Sequence, residues 1–215
     1  MSVDKIVVRE QIMHSALSMF LKHGYKGATM RKIAQAVGMP LATMQYYYRY
    51  KLDIYTDLAA AVIRDTNYFL QRLQNPVITG GHVDEAYLEE VAEILFRHVE
   101  RNGKKILLTL RKNEGTPFEG RNKELIQQTE HAIENIVTAV AGKPPVFHPY
   151  QQKQITVIAQ MIIDLVVTVT KLYTEEQDAR EGGTGGASDY RWAYDILAAG
   201  IRESYGYLER LARES

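Results

Sequence analysis

Ala42, Thr43, Gln45, Tyr46 and Tyr47 crowd hydroxyl, amide and methyl groups into one short stretch. Thr, Gln and Tyr can hydrogen-bond to the polar edges of nucleic-acid bases, and the Ala and Thr methyls can touch a thymine methyl. This chemistry requires an outward face. At 100° per residue, Leu41, Met44 and Tyr48 share one side of a helix and must pack on its neighbours. Ala42, Thr43 and Tyr46 then point the other way, with Gln45 and Tyr47 on the flanks. A helix this short is not stable alone, so a scaffold has to present it.

The elements that would position this face precede it. Ile33, Ala34 and Val37 form a narrow apolar stripe on a helix expected over Met30–Val37. Thr29 is its expected N-cap, and Gly38 sits where a helix C-terminus takes a left-handed residue. Pro40 suits the first turn of the next helix, where its missing N–H costs nothing. Helix, short Gly turn and helix together make a helix-turn-helix signature.

The run MFLKHGYKGATMRKIAQAVGMPLATMQYYYRYKLDIY resembles the DNA-binding domain of the TetR family of bacterial transcription regulators. Ala16, Phe20, Gly24, Tyr25, Thr29, Ile33, Ala34, Gly38, Thr43, Tyr47, Tyr48 and Lys51 carry the likeness, which runs from Arg9 to Tyr55. Two features depart from the pattern. Pro40 and Leu41 stand where the family usually has a small polar residue and often a Lys, and Gln45 stands where it commonly has a Tyr. Operator preference therefore does not transfer, whereas docking geometry does. The resemblance implies phosphate contacts from Thr29, Tyr47 and Lys51, and helix N-termini, Lys and Tyr tips are good anion partners. Thr29 would serve as a plain N-cap in any case.

Charge is distributed to match. The whole chain is neutral, with 26 basic and 26 acidic residues. Residues 1–51 nevertheless hold eight basic residues against Asp4 and Glu10, which leaves the remainder acidic. A basic head on an acidic body fits a protein that touches DNA with one end. The 215 residues, 46 % hydrophobic, suffice for one large or two small domains. The expected division is a helix-turn-helix domain over 1–50 and a helical ligand-binding and dimerisation domain over 51–215. Without cysteine, disulfides and thiolate chemistry are excluded. No early apolar run resembles a signal peptide. The most apolar segment, Ile155–Val169, is interrupted by Gln160 and Asp164 and reads as too short to cross a bilayer, so a cytoplasmic protein without membrane contact is expected.

The rest of the chain reads as all-α. Helices are expected over Lys5–His23, ended by Gly24, and over Lys51 to Gln74, a connecting helix. In the body they are expected over Asp84–Asn102, Lys104–Lys112, Phe118–Ala141, Tyr150–Glu176 and Asp189–Arg213. Asn75–His82 and Gly142–Pro149 break the pattern, and Asp178–Ser188 reads as a flexible polar loop. The last two long helices carry more apolar surface than a small bundle needs. Ala199, Gly200 and Gly206 would admit another helix, so a two-fold dimer through a four-helix interface is expected, as in TetR-like proteins. Two recognition helices on a palindromic operator also read more sequence than one.

For a small-molecule effector, the polar residues expected to face a pocket in the body are Arg97, His98, Arg111, His131 and Asp164, each beside apolar helical neighbours. The six histidines show no metal-ligand spacing, and GxSxG and P-loop patterns are absent. Neither catalysis nor a cofactor or metal is expected. The reading is a homodimeric, effector-released transcriptional repressor. Its rival is a helical interaction protein whose DNA-binding head is vestigial or only localises it.

Overall fold

The computed structural model describes residues 3–182 and 190–214. Helices dominate: α1 Val3–Gly27, α2 Met30–Val37, α3 Leu41–Tyr47, α4 Lys51–Leu73, α5 Glu85–Arg111, α6 Arg121–Ala141, α7 Pro149–Glu181 and α8 Arg191–Glu214. The expected all-α architecture, an N-terminal helix-turn-helix followed by a helical bundle, is what forms. Between α4 and α5 lies a minimal antiparallel hairpin, β1 Ile78–Thr79 and β2 His82–Val83. Gly80 and Gly81 turn it with φ of 61° and 82°, a pair of left-handed conformations that glycine adopts without a Cβ penalty. The break read at 75–82 is therefore a hairpin, too short to show alternation.

The chain forms two compact units. The first gathers the described residues up to Arg64 with Lys104–Arg121, and the second holds Asp65–Gly103 with the described residues from Asn122 onward. In the first unit Ile12, Ala16 and Phe20 of α1 meet Ile33 of α2, Met44 of α3 and Ile54, Tyr55 and Leu58 of α4. This stripe agrees with the sequence periodicity. The same core also takes Leu108 from the end of α5, with Phe118 packed against it. Tyr55 is the centre, ringed by Phe20, Tyr25 and Phe118 at centroid distances of 5.5, 5.4 and 5.6 Å, and its hydroxyl donates to the Leu108 carbonyl at 3.1 Å.

In the second unit, α7 and α8 pair closely because Gly200 faces Leu165; a Cβ there would lie 2.4 Å from Leu165 Cδ2. Gly200 thus serves packing within the chain. Buried Ile155, Ala159, Ile163 and Val167 on α7 and Leu197, Ile201, Tyr205 and Leu208 on α8 supply the apolar contact.

Several boundaries differ from expectation. The helices read separately over 84–102 and 104–112 are one, α5, because Gly103 does not break it. Gly103 instead lets α5 approach α7, since a Cβ there would meet Thr174 Cγ2 at 2.6 Å. Phe118 lies in the connection ahead of α6, which starts at Arg121. Helix α7 continues through Asp178 to Glu181, so the first part of the expected polar loop is helical, while residues 183–188 lie outside the described residues. By length and composition alone α7 could cross a bilayer, with a window of mean hydropathy 1.8; the segment read as too short was one part of a 33-residue helix. Core helices of soluble proteins meet the same criterion.

Candidate nucleic-acid interface

Local chemistry builds the turn. Thr29 is extended and its Oγ1 accepts from the Lys32 amide at 3.2 Å, starting α2 as an N-cap should. Gly38 takes φ 81° and returns its N–H to Ala34 at 3.0 Å, ending the helix. Pro40 is the N-cap of α3, one position earlier than its expected place, and makes no side-chain cap.

α3 is anchored through Met44 and Tyr48, 0 % and 2 % exposed. Ala42, Thr43, Gln45 and Tyr46 are exposed, Tyr46 at 69 %, and Tyr47 and Leu41 are half-buried. The Tyr46 and Tyr47 rings meet edge to face at 5.3 Å, and Lys5 Nζ sits 4.9 Å from the Tyr46 centroid. The end of α3 is held by groups distant in sequence. Tyr48 donates its hydroxyl to Asp57 at 2.9 Å, Asp57 pairs with Arg9 at 2.5 Å, and the Arg9 guanidinium covers the Tyr48 ring at 4.4 Å. Burial, with Asp57 as the hydrogen-bond acceptor, pushes the Tyr48 hydroxyl up to about 12. No local pattern announces the Arg9–Asp57 pair, because its partners are 48 positions apart.

Thr29 is exposed at the head of α2, whereas Lys51 is half-buried. Its ammonium donates to the Ala28 carbonyl at 2.8 Å and to that of Tyr25, and lies 4.0 Å from the Tyr25 centroid. Burial lowers its pKa. Lys51 therefore ties the start of α4 to the connection between α1 and α2, a role that its position in the motif did not disclose. Asp53 caps the same helix end by accepting from the Tyr50 amide at 2.8 Å.

Of the residues read as facing a ligand, His98 alone is buried, at 7 % exposed. Its Nε2 meets Thr66 Oγ1 at 3.0 Å and its Nδ1 meets Asn102 Nδ2 at 3.2 Å, while Asn102 donates to Asp65 at 2.8 Å. With Asn102 donating to Nδ1, the proton sits on Nε2 and points to Thr66, so the ring is neutral. Burial brings its pKa down to about 4, against the opposing pull of Asp65. The other four are at helix surfaces. Arg97 pairs with Glu93, His131 lies 3.8 Å from Glu134, Asp164 accepts from Gln160 at 2.9 Å, and exposed Arg111 belongs to the first unit. Among the described residues no acidic, His or Cys cluster could hold a metal ion.

The second unit also carries an open groove of about 630 Å³ along α7 and α8, lined by Tyr150, Val157, Met161, Leu165, Gly200 and Tyr207 among others. Val157 and Met161 are 57 % and 65 % exposed.

Residues 12–58 match the family model described as bacterial regulatory proteins, tetR family. Three solved structures share the fold. A member of the TetR transcriptional regulator family from Streptomyces coelicolor aligns with TM-score 0.58 at 16 % identity, over 91 % of this chain and 89 % of its own. The TetR family transcriptional regulator PfmR from Thermus thermophilus gives 0.57 at 14 %, over 91 % and 97 %. The fatty acid degradation regulator FadR from Bacillus halodurans gives 0.51 at 18 %, over 94 % of each. The comparison with curated proteins gives no match.

Proposed function

We propose that this chain, a transcriptional regulator of the tetR family by its DNA-binding head, is a cytoplasmic homodimeric repressor released from a palindromic operator by a small molecule. One observation carries the reading: α3 is gripped from behind by Met44 and Tyr48 while Ala42, Thr43, Gln45 and Tyr46 stay exposed. A helix held in this way can enter a major groove as a rigid body. Thr29, Tyr47 and Lys51 are assigned to the phosphates, Lys51 through the donor left after its two carbonyl contacts. The DNA-binding segment is taken as 1–50, and 51–215 as the responsive and dimerising part.

The α7–α8 groove is assigned to the second copy. Its exposed Val157 and Met161 are apolar side chains of the kind a dimer buries, and this use also accounts for the apolar length of α7 without a membrane. Effector binding is assigned to the second unit, which holds His98, the buried one of the five candidate residues. The effector needs only about 1 to 3 kcal/mol of preference for the non-binding conformation to give a useful response.

Fluorescence anisotropy on the DNA upstream of the protein's own coding sequence, with salt varied, tests the core of this reading. Affinity should fall steeply as salt rises, because phosphate contacts release counterions. Affinity indifferent to salt would overturn it. A thermal-shift screen of small molecules, followed by loss of anisotropy with any hit, tests effector release.

A further inference from the structure

Resting on the DNA-binding reading, we propose that the base pairs facing α3 are A·T pairs, recognised through thymine methyls by Ala42 and Thr43 and through the adenine edge by Gln45. The argument begins with what α3 lacks. Its sequence, LATMQYY, contains neither Arg nor Lys, and these are the side chains whose fork or ammonium matches the N7 and O6 acceptors of guanine. Nor does it hold Asp or Glu, the natural acceptors for the cytosine amino group. The basic groups come from outside α3: Lys5 of α1 reaches over the Tyr46 ring at 4.9 Å, Arg31 and Lys32 are on the first turn of α2, and Arg49 lies beyond the end of α3. Lys32 is further tied by its ammonium to the Gly27 carbonyl at 3.2 Å. Positive charge is thus supplied by neighbouring elements, and base discrimination by α3's own side chains falls to neutral groups.

What α3 does present suits one kind of base pair. Ala42 and Thr43, both methyl-bearing, are exposed residues turned away from buried Met44, and a thymine C5 methyl is the apolar feature a major groove offers. Gln45, exposed on the flank of the helix, carries an acceptor and a donor on one planar amide, which pairs in bidentate fashion with adenine N6 and N7. Tyr46 closes the face with its ring set against Tyr47 and under Lys5, so its hydroxyl has a defined direction. Recognition of this sort depends on methyl contacts, each of which can be removed chemically without altering hydrogen bonding, by exchanging thymine for uracil.

The test is selection from a randomised duplex library by the intact full-length protein at fixed moderate salt, repeated with Gln45→Ala and Ala42→Gly. Positions whose preference changes in either variant are those facing α3. They should be A·T in the selected sites. Replacing dT by dU at them should weaken binding about fourfold per methyl, the value of one buried methyl group, and Ala42→Gly should erase that difference at one position. Gln45→Ala alters an exposed side chain toward a better helix former and leaves the fold intact, so it remains informative if Ala42→Gly loosens the helix. G·C pairs at the variant-sensitive positions, or dU substitution without effect, would overturn this inference alone. Enrichment of no sequence whatever would overturn the DNA-binding reading with it.

Discussion

α3 and the α7–α8 groove are both helix surfaces left open by a chain that buries the opposite side, yet they differ in almost every chemical respect. α3 exposes an amide, hydroxyls and small side chains, is anchored by two buried residues and has the Lys5 ammonium over Tyr46. The groove exposes Val157, Met161 and Tyr150 over helices whose close approach depends on Gly200. A polar face in a basic segment has little to gain from another apolar surface and much from a polyanion. An apolar face gains from covering itself. Exposure alone thus specifies no partner; the residue types left exposed, and the charge around them, do.

The largest expected effect comes from making the groove polar. Val157→Glu with Met161→Glu should abolish the dimer in analytical ultracentrifugation and lower operator affinity at least a hundredfold, because two half-sites no longer bind together. A variant that still dimerises would remove the groove from the interface.

Next in size, Thr43→Ala with Tyr46→Ala should cost specific binding roughly tenfold or more, in line with about 1 to 3 kcal/mol for a good base contact, and leave the dimer untouched. Specific binding that survives both changes would end the contrast between the two surfaces and favour the interaction-protein alternative.

A third outcome concerns acid stability. His98 is held near pKa 4 in the folded chain against 6.5 for the free group, so the unfolded state binds the extra proton first. Its contribution is complete above pH 6.5 and is lost as pH falls toward 4. His98→Leu should flatten that limb of a urea-unfolding series, while removing the hydrogen bonds that the imidazole shares with Thr66 and Asn102 and lowering stability at pH 7. An unchanged limb would show that His98 does not govern it.

The smallest effect is expected of Tyr48→Phe. Removing the hydroxyl deletes one hydrogen bond to Asp57 and leaves the Arg9 pair, so unfolding free energy should drop by about 1 kcal/mol with the operator sequence preference unchanged. Tyr48 also contributes an alkaline limb. Its folded pKa of about 12 lies above the ordinary 10, so its share of stability is complete below pH 10 and lost as pH rises toward 12. Phe at this position should remove that share.

Short-range chemistry made the head readable. Thr29, Gly38 and the Ile33–Ala34 stripe act within a turn or two of themselves, and α2 occurs at the expected residues, Met30–Val37. Angle alone turns Met44 and Tyr48 inward, and both are buried. The same local reasoning predicts a break at Gly103, since a glycine in a helix is locally unfavourable, yet α5 runs through this glycine. Its value is its missing Cβ, which only the packing against Thr174 discloses. Among the candidate ligand residues, apolar neighbours could not separate buried His98 from surface Arg97, His131 and Asp164, because a single helical position says nothing about what the next helix places over it.

By itself, then, the sequence determined the all-α class, the turn that launches α3, the polar outward surface of that helix and the basic charge around it. These follow from φ preferences, helical periodicity and side-chain chemistry, all set by near neighbours. Tertiary structure alone decided that Arg9 and Asp57 grip Tyr48, that Lys51 staples the connection between α1 and α2, and that Leu108 and Phe118 complete the core of the first unit. Those pairings join residues far apart in the chain, and their free energy appears only once the intervening loops have closed.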